Sequence, residues 1–336
     1  MDYIGSKTKL NEWLFNIILD STGDPKDKVL LDACSGSGAV SKYGAKIGYQ
    51  VVSNDLMHFP SVIVNGSIGL TKRQHKLATE EIKRLNQLEG LRGYFYKHFC
   101  DESDPSRLYF TGSNAMRIDR IRQEIEQFKN RKVRDYLLYC GLEAMSRVSN
   151  TTGVQAAFLK QFKDRAKDIF VLRTEQVVSG NATAYSNDIL LLLRNKKFRS
   201  KFQEDILYID PPYNQRQYGP NYHLYETFVR NDNPQAFGKT GLRNWKLECS
   251  SAFCTNKKCL KFLKSTIDET TAKVAFVSYN SDGLLTKNDF EKTFPSVKVH
   301  ERDQRRYKAD TSGDRIYNDG KLVEYLFEIP CNISEL

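Results

Sequence analysis

The chain has 336 residues, 40% of them apolar and 27% charged, with a formal net charge of +10. That suffices for one large α/β domain, or one domain carrying a smaller insertion, and the positive balance favours a polyanionic partner. No apolar run reaches the roughly 18 residues of a membrane span, no hydrophobic signal stretch opens "MDYIGSKTKLNEW", and the seven irregularly spaced cysteines suit reduced thiols. A cytoplasmic protein with no membrane partner is therefore expected. Cys254 and Cys259 have no matching Cys or His pair nearby, so no metal is expected either.

In chain order, "KLNEWLFNIILDS" places Leu10, Trp13, Leu14, Ile17 and Ile18 on one helical face, and Gly23, Asp24 and Pro25 end it. "KVLLDACSGSG" reads as a buried strand running into a glycine turn. A small-residue helix near Ala39 to Ile47 and a second strand at "YQVVSND" complete a strand–helix–strand unit, the seed of a doubly wound parallel sheet.

The next third changes character. Ala78, Ile82, Leu85 and Leu88 fall at helical spacing, as do Ile118, Ile121, Ile125 and Phe128, and "VRDYLLYCGLEAMSRV" continues the pattern. Between Leu70 and Gly180 there are 21 Lys or Arg against 14 Asp or Glu, so most of the net charge lies there. Residues 70–180 are read as a helical, basic insertion, and residues 1–69 with 181–336 as the main domain. The α/β rhythm resumes through "DILLLLRN", "DILYIDPPY", "KVAFVSYNSDG", "SVKVHERD" and "KLVEYLFEIP".

Two stretches carry chemistry. Gly36 and Gly38 follow a strand and open a helix, which lets a ligand approach the backbone closely. Asp55 ends the next strand, where a carboxylate can accept both hydroxyls of a ribose. An adenosine-containing cofactor fits this pattern, and so does a tight turn with no ligand. A nicotinamide enzyme would carry a third glycine at position 41, which is Ser.

Asp210-Pro211-Pro212-Tyr213 decides between them. At the carboxyl end of a strand the tetrapeptide faces the ligand crevice, and its residue types suit methylation of an exocyclic amine on a heterocyclic base. Such a nitrogen is a poor nucleophile because its lone pair is delocalised into the ring. Two acceptors aimed at its hydrogens, the Asp210 carboxylate and a proline-region carbonyl, draw it towards tetrahedral geometry. The prolines fix φ and so hold that carbonyl, and Tyr213 offers a face for the base.

With these motifs the chain resembles the Dam-like, alpha-group DNA adenine methyltransferases, nearly end to end. "YIGSKTKL" is similar to their N-terminal motif, "LDACSGSG" to their cofactor loop, "SNDL" to the ribose-binding acid and "YIDPPYN" to the catalytic motif. "FVSYNSDG" and "RRYKADTSGDR" with "EYLFEI" resemble their later motifs.

The resemblance implies a Rossmann-like fold with a mixed, mostly parallel sheet, S-adenosylmethionine as cofactor and duplex DNA as partner. It also implies cofactor contacts from Tyr3, Lys7, Asp32, Ser35, Gly36, Gly38, Asp55 and Asp210, with Lys7 on the methionine carboxylate. The insertion would then be the target-recognition domain. Asp188 either binds the cofactor's adenine amine or caps a helix.

"SRVSNTTG" and "NQRQYGPNYHLYET" are most similar to a subgroup serving restriction–modification systems, which implies a separate cognate restriction endonuclease and a prokaryotic or phage source. Asn150, Thr151, Thr152, Arg216, Tyr218 and Tyr222 become candidate DNA or target-base contacts, with ordinary polar loops as the alternative. "NPQAFGKTGLR" lacks the first glycine and the preceding strand of a phosphate-binding loop. It reads instead as a mobile loop touching DNA phosphate through Lys239 and Arg243.

Three rivals stand beside adenine methylation. A cytosine-amine enzyme would carry Ser at position 210, and an RNA or protein-glutamine methyltransferase would more often carry Asn. An inactive DNA-binding module would not keep every catalytic position intact.

Overall fold

The computed structural model describes residues 1, 3–304 and 322–331, so the motif "RRYKADTSGDR" lies outside the described residues. Seven strands form one sheet: β1 (Val29–Asp32), β2 (Gln50–Asp55), β3 (Asn181–Ser186), β4 (Ile206–Ile209), β5 (Val274–Asn280), β6 (Lys298–Gln304) and β7 (Leu322–Pro330). Their spatial order is β3-β2-β1-β4-β5-β7-β6. β7 runs antiparallel to β5 and β6, while the pairs from β3 across to β5 are parallel.

The chain leaves β1 for β2 on one side and returns to β4 on the other. A topological switch point therefore lies at the carboxyl ends of β1 and β4, where open α/β sheets bind ligands. Asp32, Asp55 and the residue after Ile209 all fall on that edge.

Three helices lead the chain: α1 (Asn11–Thr22), α2 (Ala39–Ile47) and α3 (His58–Ser67). Strand alternation divides the core. Ile206 and Tyr208 of β4 join Leu14, Phe15 and Ile18 of α1 and Val64 of α3 on one face. Leu207 and Ile209 point to the other face.

Residues 70–180 carry α4 (Lys72–Asn86), α5 (Tyr94–His98), α6 (Gly112–Glu126) and α7 (Arg131–Val148). The starts of α4, α6 and α7 are set by side-chain caps from Thr71, Thr111 and Asn130, and Thr71 with Gln74 forms a capping box. These helices do not make a core of their own. Ile118, Ile125, Tyr136 and Leu137 pack in one cluster with Phe59 and Ile63 of α3 and with Leu224 and Phe228 from far along the chain. At Gly66 a Cβ would lie 2.5 Å from the Asp135 carbonyl oxygen, so only a glycine lets α3 and α7 approach this closely.

After β3 come α8 (Ile189–Leu193), α9 (Lys196–Lys201), α10 (Tyr218–Asn221), α11 (His223–Arg230), α12 (Trp245–Glu248), α13 (Cys259–Asp268) and α14 (Lys287–Thr293). "DILLLLRN" thus belongs to a helix. The strand before it is "NATAYS", an edge strand with few apolar residues and no fully buried position, too polar to stand out by pattern. Among the described residues no helix is long and apolar enough to cross a membrane.

Candidate active site

A cleft opens along the carboxyl edge of the sheet, between the glycine turn after β1 and the tetrapeptide after β4. Tyr3, Lys7, Asp32, Ser35, Gly36, Asp55, Asp188, Asp210, Pro211, Pro212, Tyr213 and Tyr218 all line it. Gly38 starts α2 behind the loop, with φ +70 and its amide donating to the Ser35 carbonyl at 2.7 Å.

Each acid is held by its own element. Asp55 Oδ2 accepts the Gly36 amide at 2.9 Å and Oδ1 accepts the Met57 amide at 3.0 Å, so the end of β2 braces the glycine turn. Asp32 Oδ2 accepts from the Ser41 hydroxyl of α2 at 2.6 Å. Asp188 Oδ1 caps α8 through the amides of Leu190 and Leu191 while its residue still faces the cleft. The capping reading and the lining position therefore coexist.

Asp210 belongs to an ionic group centred on Lys7. Its Oδ1 lies 3.2 Å from Lys7 Nζ, and Lys7 also reaches Glu324 Oε1 at 2.5 Å. Burial pushes Asp210 up to about 6, with Lys7 opposing and the Glu324 charge adding to the rise. Burial likewise lifts Asp32 to about 7 and Asp55 to about 6, against the hydrogen bonds each accepts. Burial disfavours the Lys7 ammonium, yet the Asp210 and Glu324 carboxylates more than offset this and hold its pKa above the ordinary lysine value. Lys7 is thus tied to protein carboxylates, in addition to whatever a ligand would ask of it.

Aromatic rings build the walls. Tyr213 meets Tyr279 edge-on with centroids 6.3 Å apart, and its carbonyl accepts the Leu284 amide at 2.8 Å. Phe253 and Phe262 pack edge to face at 4.8 Å on the rim. Tyr3 stacks on Tyr222 at 4.7 Å, with Tyr218 tilted beside them at 5.8 Å from Tyr3. Several buried polar atoms of the cleft, namely Asp32 Oδ1, Ser35 Oγ and Asn54 Oδ1, have no hydrogen-bond partner among the described residues. Native interiors rarely leave such groups unpaired, so the cleft is built for a polar occupant.

The description of the D12 class N6 adenine-specific DNA methyltransferases matches residues 3–306. The chain belongs to that family. It is 34% identical to the type II methyltransferase M.NlaIII of Neisseria lactamica, over 97% of this chain and 98% of that one. It is 32% identical to M.CviAII of Paramecium bursaria Chlorella virus 1, over 97% of each. Against M.FokI of Planomicrobium okeanokoites it is 31% identical over 99% of its own length, but spans only 53% of that protein.

Across the methyltransferase the DNA contacts offered by the sequence separate into two groups. Thr152, Arg216 and Lys239 are exposed, and Tyr218 is half-buried on the cleft wall. The other four are buried. Asn150 is fully enclosed: its Nδ2 donates to the carbonyls of Leu108 and Leu159, and its Oδ1 accepts the Lys163 amide at 3.0 Å. It staples a loop. Thr151 is buried beside it, and the Tyr222 hydroxyl is buried accepting the Ile4 amide at 2.8 Å.

Arg243 is 4% exposed and grips Asp232 and Glu248 at 2.7 and 2.9 Å, so it clamps its own loop and offers nothing to a phosphate. Arg243→Ala is expected to lower stability by about 2 kcal/mol, below the full cost of a broken buried pair because both acids can rehydrate. Lys239→Ala should leave melting unchanged and reduce the salt slope of DNA binding by about one. Thermal melts and binding isotherms across salt check both; a steep salt effect in the arginine variant would return Arg243 to the interface.

Sequence reasoning missed Glu324, Glu226, Phe253 and Phe262. Glu226 of α11 is buried and accepts the amides of His58 and Phe59 at the start of α3, at 2.8 and 3.2 Å. It locks the helix that follows Asp55. Glu324 and Glu226 fall inside the stretches "EYLFEI" and "NQRQYGPNYHLYET", where no role was assigned to them, and Phe253 and Phe262 fall in no motif; the two acids acquire their places only through long-range contacts. Among the described residues no group of three or more His, Cys, Asp or Glu could hold a metal ion.

Proposed function

We propose that this chain methylates the N6 amine of a flipped-out adenine at a specific site in duplex DNA, taking the methyl group from S-adenosylmethionine. The reading rests on one observation: the Asp210 carboxylate and the Gly36–Asp55 brace open into the same cleft.

The residues present fit the donor. Asp55 ends β2 where a ribose would present its hydroxyls. The unpartnered Asp32 Oδ1 and Ser35 Oγ offer an acceptor and a donor to its amino-acid end, and Lys7 stands by for a carboxylate. S-adenosylmethionine supplies a methyl group already activated by its positively charged sulfur, so positioning carries most of the catalysis.

This chain's own groups do the rest. With Lys7 on Oδ1, Asp210 Oδ2 has no hydrogen bond among the described residues and can accept an N–H of the amine. A carbonyl of the proline pair takes the second hydrogen, and the fixed φ of each ring keeps it in place. Tyr213 gives the extruded base a surface to stack on. The target atom is inaccessible inside a duplex, so the base must leave the stack. Exposed cations such as Arg216 and Lys239 suit phosphate contacts, and the helices of residues 70–180 suit target recognition.

The intact pairing with type II relatives supports a role as the modification partner of a separate restriction endonuclease. The test is to express the chain in a methylation-free host and sequence the genomic DNA with modified bases read directly. N6-methyladenine confined to one short motif is expected. Unmodified adenine, or methylation on cytosine instead, would overturn the reading.

A further inference from the structure

Lys7 carries one charge and serves two carboxylates. Its ammonium lies closer to Glu324, at 2.5 Å, than to Asp210, at 3.2 Å. Glu324 comes from β7, which lies beyond β5 from the strand that ends at Asp210. Its side chain is buried, and the Ser278 hydroxyl on the intervening β5 donates to the same Oε1 at 2.9 Å. A second buried acid, braced by a hydroxyl and aimed at the first acid's lysine, is costly to desolvate and calls for a reason.

Asp210 faces two opposed demands. It must be ionised, and its lone pairs must stay available to an amine. A lysine devoted to Asp210 alone would satisfy the first and spoil the second, because it would draw the carboxylate's electron density towards itself. It would also set a full positive charge beside a nitrogen that becomes positive as it attacks. With both acids ionised, the trio of Lys7, Asp210 and Glu324 instead carries one net negative charge at that point.

We propose that Glu324 is a positioning residue of the methyl-transfer site, holding the Lys7 ammonium away from Asp210 so that Asp210 keeps its hydrogen-bonding capacity for the target amine. The inference rests on Asp210 being the amine acceptor. Other titratable groups face Asp210 as well: Asp32 from β1, Cys34 from the turn after it, Tyr208 from β4, Tyr213 and Tyr218 from the segment after β4, and Tyr3 from the N-terminal segment. They are the same in the wild type and in a Glu324 variant, so a comparison of the two isolates Glu324.

The experiment measures single-turnover methyl transfer to duplex DNA from about pH 5 to about pH 9 for wild type, Glu324→Gln, Glu324→Asp, Ser278→Ala and Asp210→Asn. In Glu324→Gln, Lys7 is left with Asp210 as its carboxylate and the repulsion from Glu324 is gone. The plateau rate should fall about tenfold or more, while the acid limb of the profile moves down by about one pH unit. Apparent affinities for DNA and donor should change by less than about threefold. Glu324→Asp, which keeps the charge with a shorter reach, should recover part of the rate and return the limb towards wild type.

A purely structural role would lower the rate and leave the limb in place, and that outcome, or an unchanged rate, overturns the inference. Should Glu324→Gln fail to fold, Ser278→Ala removes the brace without touching a charge and should shift the limb in the same direction by less; no shift then overturns it. Asp210→Asn separates the two layers. If that variant stays active, the acceptor reading itself has failed. If it is inactive and Glu324→Gln behaves as wild type, only the role of Glu324 falls.

Discussion

Replacing Asp210 with Asn should lower methyl transfer by about a thousandfold while the protein folds as before. The amide keeps the shape of the side chain but gives up a negatively charged acceptor at the one point where the amine must be drawn out of conjugation. Stability should hold, and the sign can be worked out. Burial raises Asp210 to about 6 in the folded chain, above its ordinary value of 3.8. A raised carboxyl contributes stability that is fully present below its unfolded pKa and lost as pH rises through about 6. At about pH 8 the ionised group is therefore a cost that a neutral amide does not carry. Lys7 keeps Glu324 as its partner in the variant.

In the wild type the same ionisation sets the pH response of the reaction. An acceptor that titrates near 6 makes the rate fall about tenfold per unit below that point. Tritium transfer to duplex DNA and thermal melts at about pH 8 check the two halves. Activity within tenfold of wild type would remove Asp210 from the chemistry.

The parts of the site legible in the sequence are those where backbone and chemistry make demands on consecutive residues. A strand followed by Gly36 and Gly38, an acid closing the next strand, and the run Asp210 to Tyr213 each carry their meaning locally, and the sheet brings them to one edge. What stayed hidden is set at long range. Glu324 opens "EYLFEI", whose resemblance assigns it no role, and its contact with Lys7 joins opposite ends of the chain. Glu226 lies in a stretch read as DNA contacts or polar loop, and its role shows only when α11 is laid against the start of α3.

Burial misled in the opposite direction at Asn150 and Arg243. Polar residues in loops look solvated when read one at a time, yet both are enclosed because every polar atom has a protein partner waiting. The division between insertion and main domain blurs for the same reason. α11 follows β4 in sequence but shares its core with the helices of residues 70–180.

The glycine turn offers the other large effect. Gly36→Val should weaken binding of S-adenosylmethionine by about a hundredfold or more, a loss of nearly 3 kcal/mol. Two costs combine. Gly36 has φ +47, in the left-handed region that a β-branched residue strongly resists. A Cβ there would also fall 2.6 Å from the Tyr3 hydroxyl and 2.8 Å from its ring carbons. Tyr3 cannot simply yield, since its ring is stacked on Tyr222, which is itself fully buried. The turn would have to move instead, and its amide would leave Asp55 Oδ2, loosening the acid proposed to meet the ribose. Binding of duplex DNA draws on exposed cations elsewhere and should change by less than about threefold. Calorimetric titration with S-adenosylmethionine, beside band shifts on DNA, reads both. Equal losses of the two affinities would mean that the turn supports the whole fold, and a donor affinity like that of the wild type would mean that the cofactor does not lie against Gly36 at all.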